Sequence, residues 1–100
     1  MTILAVQFTV REDNRVEVKS ALENMTRAIQ REHPAGVRFA SCRFPDGLTF
    51  LNVLQLDDGV DNPMPGMEEC RSFQQSRPKW AVGPAPTPQS VSVIGSYDLL

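Results

Sequence analysis

Asn52 is the residue whose surroundings in the sequence most suggest chemistry. Its amide lies inside an apolar run, residues 50–54, where a buried polar group costs stability unless its hydrogen bonds are satisfied. One interpretation is structural, with the amide bonded to Ser41 or to a neighbouring backbone group. The other is functional, because ligand cavities are mostly apolar and carry a few polar groups that orient the ligand. The sequence alone leaves both interpretations open.

His33 is the single histidine and is therefore the simplest candidate for a general base near neutral pH. It precedes Pro34, and proline disfavours helical geometry in the residue before it. A cationic side chain in the last turn of a helix also interacts favourably with the helix dipole. We therefore interpret His33 as an exposed helix cap and not as a catalytic base.

Three aromatic residues in the second half of the chain are candidates for the wall of a ligand site. Trp80, the sole tryptophan, follows the second predicted helix and either anchors a proline-rich segment to the core or lines a cavity. Phe73 shares the apolar side of that helix with Cys70. Tyr97 is either a core residue with its hydroxyl at the edge or a hydrogen-bond donor to a ligand.

No metal or cofactor site is predicted. Cys42 and Cys70 are the only cysteines and have no CxxC spacing, and with one histidine the chain has too few ligands for a zinc or iron–sulfur centre. We interpret both thiols as packing residues. Asp57, Asp58 and Asp61 lack the spacing of a calcium loop and are typical of turns.

A hairpin is expected to position most of the candidate residues. Two β-rich segments, 37–44 and 48–57, flank Pro45-Asp46-Gly47, and Asp-Gly is among the strongest short-range hairpin signals. A two-residue turn at Asp46 and Gly47 fixes which residues lie opposite each other. One face of the hairpin then carries the candidate ligand residues with their apolar neighbours: Phe39, Ser41, Arg43, Phe50, Asn52 and Leu54.

The first third of the chain predicts a strand and a helix. Residues 2–11 are β-rich, and their apolar side chains alternate with polar ones. Asn14 followed three residues later by Glu17 has the pattern of a capping box. Apolar residues at helical spacing then predict a helix from about residue 14 to residue 33.

The second half predicts a short helix and a closing strand. From Met67 onward, apolar residues recur at helical spacing, and Pro78 is expected to end or kink this helix. Residues 83–88 contain three prolines, which predict an extended crossing of the surface. This segment leads to a final strand in residues 90–100.

The order β-α-β-β-α-β predicts a ferredoxin-like α+β fold, with residues 1–100 as a single domain. Right-handed crossovers place both helices on one face of a four-stranded antiparallel sheet of order 4-1-3-2. The other face would carry apolar residues of strands 1 and 3: Ile3, Ala5 and either Leu51 with Val53 or Leu54 with Leu56. Because a large uncovered apolar face usually marks an interface, we predict a homodimer that packs sheet on sheet.

The composition argues against several classes of partner. Ten basic and twelve acidic residues give a net charge of -2, and the scattered basic residues do not form the patch that a nucleic-acid-binding protein needs. No run approaches the ~18 apolar residues that span a bilayer, and the apolar N-terminus lacks the basic region of a signal peptide. We therefore expect a cytoplasmic protein with reduced thiols, and no nucleic-acid or membrane partner.

Several features occur together along the chain: the element order, the Asn62-Pro63 loop before a short helix, the Phe73–Gln75 stretch, the proline-rich crossing and the closing Val93–Tyr97 segment. With these features the chain resembles the dimeric α+β barrel superfamily, and within it the antibiotic-biosynthesis-monooxygenase-like proteins. The resemblance implies a homodimeric barrel with a hydrophobic cavity in each subunit between the sheet and its helices. Members include cofactor-free quinone-forming monooxygenases, haem-degrading enzymes and isomerases.

This sequence lacks a residue that some family members need for their activity, and this limits the activities that the resemblance implies. Haem-degrading members use a histidine on the second helix, and residues 67–77 contain none, so no haem is expected. Quinone-forming members use asparagine, tryptophan, tyrosine and arginine side chains. Here Asn52, Trp80, Tyr97 and Arg43 supply those residue types.

The leading hypothesis is a homodimer that binds a small aromatic or hydrophobic molecule and, if it is an enzyme, oxygenates that molecule without a cofactor. Asn52, Arg43 and Trp80 would orient the ring. The alternatives are a non-catalytic dimerisation or partner-binding module and a cofactor-free isomerase or cyclase. An enclosed cavity that Asn52 and Arg43 enter favours the leading hypothesis. The module is favoured if four side chains fill the space between helices and sheet: Leu22, Met25, Phe39 and Phe73.

Overall fold

The β-α-β-β-α-β order is present in the computed structural model, which describes residues 1–84 and 86–99. In these residues the elements are β1 (Thr2–Thr9), α1 (Arg15–Glu32), β2 (Val37–Arg43), β3 (Thr49–Leu56), α2 (Glu68–Trp80) and β4 (Gln89–Val91). Every strand pair is antiparallel. The spatial order is β2-β3-β1-β4, so the predicted ferredoxin-like α+β fold and its 4-1-3-2 sheet are confirmed.

The β2–β3 hairpin has the predicted register. Three expected pairs are present: Arg43 with Phe50, Ser41 with Asn52, and Phe39 with Leu54. The turn that joins the strands differs from the predicted two-residue turn at Asp46 and Gly47. The Gly47 N–H donates to the Phe44 carbonyl at 2.9 Å, so Pro45 and Asp46 are the central residues of the turn. Gly47 has a φ of 74°, a conformation that glycine adopts without steric cost.

Asp46 fixes the geometry of this turn. Its carboxylate accepts hydrogen bonds from the backbone N–H groups of Leu48, at 2.9 Å, and Thr49, at 2.8 Å. The Thr49 hydroxyl donates a third bond at 2.7 Å. Together these donors, with the hydroxyl as the largest contributor, lower the pKa of Asp46 below its ordinary value, because they stabilise the ionised form.

The core lies between the sheet and the two helices. Both helices contribute to one cluster of buried side chains with the sheet residues Phe8, Val10 and Phe50, so both pack on the same face. The Phe8 ring stacks on Phe50 at a centroid distance of 5.7 Å and contacts Phe73 of α2 at 5.9 Å. These aromatic contacts connect α2 to the middle of the sheet. Such pairs stabilise a fold by more than the burial of their apolar surface alone.

The two ends of α1 differ in how well the sequence predicts them. Asn14 makes no capping hydrogen bond with its side chain and has φ -101° and ψ -5°, whereas an N-cap residue needs extended geometry. The predicted capping box is therefore wrong. The C-terminal end is as expected, because exposed His33 caps the helix in a left-handed conformation and donates its N–H to the Ile29 carbonyl at 2.9 Å.

Helix α2 is longer than predicted. It continues through Pro78 and ends at Trp80. Proline removes one backbone donor and crowds the preceding turn. Pro78 lies in the last turn of α2, so only two helical residues follow it and the proline does not break the helix. Trp80 is therefore the last residue of α2, whereas the sequence placed it after the helix.

Strand β4 is shorter than predicted and includes only Gln89–Val91. Val91 already lies opposite Ile3, so β1 has almost no residues left for a longer strand to pair with. Residues 92–99 have no regular structure, and Tyr97 is 92% exposed. Leu100, the last residue of the predicted strand, lies outside the described residues.

The register also decides which residues occupy the sheet face that points away from the helices, here called the open face. Ala5 lies opposite Val53 and Gln7 opposite Leu51, so Leu51 and Val53 belong to it, whereas Leu54 and Leu56 belong to the helix side. Cys42 on β2 lies opposite Leu51 of β3 and is exposed. The prediction that Cys42 is a packing residue is therefore wrong for the single chain.

None of the helices in the described part of the chain is long and apolar enough to cross a membrane.

Candidate functional site

A cavity of about 150 Å³ lies between the helix side of the sheet and α2. Its wall is mainly apolar and includes Leu4, Val6, Met25, Phe39, Leu54 and Phe73. An apolar cavity of about 150 Å³ in an engineered protein binds benzene. This cavity therefore has room for one aromatic ring.

Asn52 places an amide in the wall of this cavity. The residue is 6% exposed and lies between Val6 on β1 and Ser41 on β2. The Ser41 hydroxyl donates to Asn52 Oδ1 at 2.7 Å, so the predicted structural bond is present. It occupies only the amide oxygen, and Asn52 Nδ2 has no hydrogen-bond partner among the described residues. Of the two polar atoms of this amide, the nitrogen therefore remains available as a donor.

Helix α2 turns one face to the cavity. Four of its residues line the cavity at positions i, i+3, i+4 and i+7: Cys70, Phe73, Gln74 and Arg77. This spacing defines one side of a helix. Sequence reasoning identified Cys70 and Phe73 but missed Gln74 and Arg77, because only the apolar residues of the helix were considered. Extending the same stripe by one turn would have found Arg77.

Two groups on this face have altered ionisation. Burial, assisted by the nearby Glu69 carboxylate, raises the pKa of the Cys70 thiol, which stays neutral at physiological pH. Burial lowers the pKa of Arg77, although an arginine remains protonated in proteins. Within residues 1–84 and 86–99, no three His, Cys, Asp or Glu side chains are grouped closely enough to hold a metal ion.

Three of the predicted site residues line a different feature. Ser41, Arg43 and Phe50 border a groove between β2 and α1. Helix α1 contributes Met25 to the cavity and Leu22 to the groove, so its side chains separate the two. The structure therefore does not bring Arg43 to the cavity that contains Asn52, although both lie on the same sheet face. Ser41 connects groove and cavity through its hydrogen bond to Asn52.

Solved structures share this architecture over nearly the whole chain. A proposed antibiotic biosynthesis monooxygenase from Nitrosomonas europaea superposes with a TM-score of 0.74 at 16% identity, over 95% of this chain and 100% of that one. SnoaB, a cofactor-independent oxygenase from Streptomyces nogalater, superposes with a TM-score of 0.70 at 11% identity, over 98% and 97%. The protein Rv0793 from Mycobacterium tuberculosis gives 0.72 at 12% identity, over 95% and 96%.

This chain has the fold of the antibiotic-biosynthesis-monooxygenase-like proteins. The predicted resemblance is thereby confirmed for the fold of the single chain. No family model matches the sequence, and no curated protein matches it either.

Within this antibiotic-biosynthesis-monooxygenase-like fold, Trp80 belongs to the core and does not line the cavity. It is 3% exposed and contacts Phe73 at a centroid distance of 5.8 Å. The next residue, Ala81, forms a β-bridge with Val10, so Trp80 anchors the start of the proline-rich segment. This is the structural alternative that the sequence left open.

Tyr97 lies in neither of its two predicted environments. It is almost fully exposed because β4 ends at Val91. Of the seven predicted ligand residues, the structure brings Asn52 and Phe73 together in the cavity, joined to Ser41 by a hydrogen bond. The others lie in the groove, in the core or on the surface.

Proposed function

We propose that the protein is a homodimer that binds a small aromatic molecule in the cavity between the sheet and α2 and oxygenates it without a cofactor. The observation that carries the proposal is the combination of a ring-sized apolar cavity with one oriented amide donor, Asn52. An apolar wall accepts the ring, and a few placed polar groups determine its orientation.

The reaction that this arrangement supports converts a phenol and dioxygen into a quinone and water. The phenol supplies the electrons, one oxygen atom becomes the new quinone carbonyl, and the other leaves as water. Asn52 Nδ2 would donate to the ring oxygen and stabilise the negative charge that develops there. Phe73 and Leu54 would hold the ring in position and exclude water.

The fold comparisons and the cavity both support this proposal over a non-catalytic module. SnoaB, which shares the fold, is named as a cofactor-independent oxygenase. A module was expected to have Leu22, Met25, Phe39 and Phe73 filling the space between helices and sheet. All four do pack in the core, but Met25, Phe39 and Phe73 also border the cavity.

The open face supports the homodimer. Leu51 and Val53 are only half-buried there, and Ala40 and Cys42 are exposed. The β1 part of this face is already covered in the single chain, because Ile3 is only 3% exposed. Exposed apolar side chains on paired strands are typical of protein interfaces, and a two-fold dimer would cover the same residues on both copies.

Oxygenation is tested with two single-ring phenols, phenol and ortho-cresol, under isotopically labelled dioxygen, with a chelator present and no flavin or metal added. We expect the quinone product to carry one labelled oxygen atom. Replacing the donor, Asn52→Ala, should lower kcat/KM by about 100-fold, as the loss of one oxyanion donor does in other enzymes. The matched control is Asn24→Ala, which changes an exposed asparagine on α1 and should leave turnover unchanged.

Two results would count against the proposal. Turnover that survives Asn52→Ala would remove the assigned donor. Binding of both phenols without any oxygen uptake would reject oxygenation and favour a ligand-binding protein.

A further inference from the structure

Arg77 is a cation in an otherwise neutral cavity. Of the described residues that line the cavity, it alone is charged. Two exposed arginines have acidic partners: Arg31 pairs with Glu69 at 3.0 Å and Arg38 with Asp57 at 3.5 Å. Within residues 1–84 and 86–99, Arg77 has no carboxylate within ion-pair distance.

The surroundings of Arg77 make this lack of a partner costly. The residue is half-buried, and burial is what lowers its pKa. A guanidinium cannot relieve the cost by losing its proton, so a partly desolvated and unpaired charge persists in the wall. Neither of its neighbours in the cavity compensates, because Gln74 is uncharged and the buried Cys70 thiol remains protonated.

We infer that the cavity takes an anionic ligand, a single-ring molecule whose carboxylate or phenolate oxygen is held by Arg77. The inference rests on the proposed function, since it concerns the ligand of the same cavity. A planar guanidinium binds such oxygens with directed, charge-assisted hydrogen bonds. The apolar wall at Phe73 and Leu54 receives the ring, and Asn52 Nδ2 supplies a second donor.

Three probes that share a nitrophenyl ring separate charge from shape. Para-nitrobenzoate carries a carboxylate, para-nitrophenol ionises to a phenolate near neutral pH, and para-nitroanisole is a neutral ether of the same ring. Affinities are measured by isothermal titration calorimetry at low ionic strength, because salt screens charge interactions. We expect at least one anion to bind about tenfold or more tightly than the ether, and the stronger of the two identifies the oxygen class.

Variants at position 77 test whether Arg77 is the cause. Arg77→Met keeps an apolar stem of similar length without the charge, and it should lose the anion preference while binding para-nitroanisole as before. Arg77→Lys should retain part of the preference. Arg15→Gln removes a cation from the exposed start of α1, and this control should behave as the unmodified protein. Bound para-nitrophenol should also show a lowered pKa by absorbance, except in Arg77→Met.

The outcomes separate this inference from the proposed function. If para-nitroanisole binds as well as both anions, or if the anion preference survives Arg77→Met, the inference is wrong while an aromatic cavity site stands. If none of the three probes binds, the aromatic cavity site itself is rejected, and the inference with it. Para-nitroanisole binding by Arg77→Met shows that this variant is folded.

Discussion

At the scale of single residues, Asp46 shows how a side chain stabilises a turn through its ionised form. The carboxylate accepts three hydrogen bonds, two of them from the backbone N–H groups of Leu48 and Thr49. All three favour the anion, so the pKa of Asp46 is lower in the folded chain than its ordinary value of 3.8. The free energy of unfolding therefore depends on pH through the ionisation of Asp46.

The sign of the coupling follows from the lowered pKa. The carboxylate stabilises the fold above its unfolded pKa, near 3.8, and the contribution is lost as the pH falls through the lower folded value. We expect Asp46→Asn to melt at a lower temperature than the unmodified protein at neutral pH. The difference should shrink on acidification below about pH 4. Thermal unfolding followed by circular dichroism measures this.

Asp61→Asn is the control for that experiment, because Asp61 is an exposed loop residue. It should melt like the unmodified protein throughout the pH range. A melting difference for Asp46→Asn that stays constant from neutral to acid pH would show that the charge plays no part.

The residue scale also shows what sequence patterns can and cannot reveal. The hydrogen bond between Ser41 and Asn52 was predictable, because the Asp-Gly turn fixes the register and places the two residues opposite each other. Arg77 was not predicted, because the helical stripe was followed through its apolar residues only and Arg77 continues that stripe with a charged one. The separation of Arg43 from Asn52 depends on where α1 crosses the sheet, which no local pattern specifies.

At the scale of elements, the end of α1 is strained in a way that a substitution can relieve. His33 has a φ of 51°, and the left-handed conformation costs a residue with a Cβ atom about 1–2 kcal/mol. Glycine avoids this cost. It also has more conformational freedom in the unfolded chain, however, which lowers the free energy of unfolding by about 0.5–1 kcal/mol. We expect His33→Gly to raise the free energy of unfolding by about 0.5–1 kcal/mol in urea denaturation.

A matched substitution one turn earlier should have the opposite sign. Gln30 is exposed in the interior of α1, where glycine costs about 1 kcal/mol. If His33→Gly destabilises the chain as Gln30→Gly does, the left-handed cap is not the source of strain.

Elements were predictable where the signals are local. The hairpin and the end of α1 depend on Asp-Gly and on the residues around Pro34, and both lie where the sequence indicates. The length of β4 depends on its partner, because Val91 already lies opposite Ile3 near the start of β1. A segment rich in β-forming residues cannot become a strand without a neighbouring strand to pair with.

At the scale of the whole molecule, the open face of the sheet determines the proposed assembly. Cys42 lies on this face and is exposed in the single chain, whereas Cys70 is buried. A sheet-on-sheet homodimer would cover Cys42 together with Leu51, its partner across the strands. The reactivity of one thiol is therefore a measure of dimerisation.

Val53→Lys places a charge in the middle of the open face, and we expect it to yield monomers by light scattering. Its Cys42 should react with Ellman's reagent at least about tenfold faster than in the unmodified dimer, because thiol reactivity follows exposure. Val16→Lys introduces the same change at a 71% exposed position on α1 and should alter neither property. An unmodified protein that is monomeric at micromolar concentration would contradict the homodimer.

The burial of Trp80 beside the cavity gives the chain an intrinsic optical probe. It is the sole tryptophan, and a single ring, that of Phe73, lies between it and the cavity, at a centroid distance of 5.8 Å. Nitroaromatic compounds accept excitation energy from indole over such short distances, so a nitrophenyl ligand in the cavity should quench the emission. Occupancy can then be followed by fluorescence without any label, and unfolding would shift the same emission to longer wavelength.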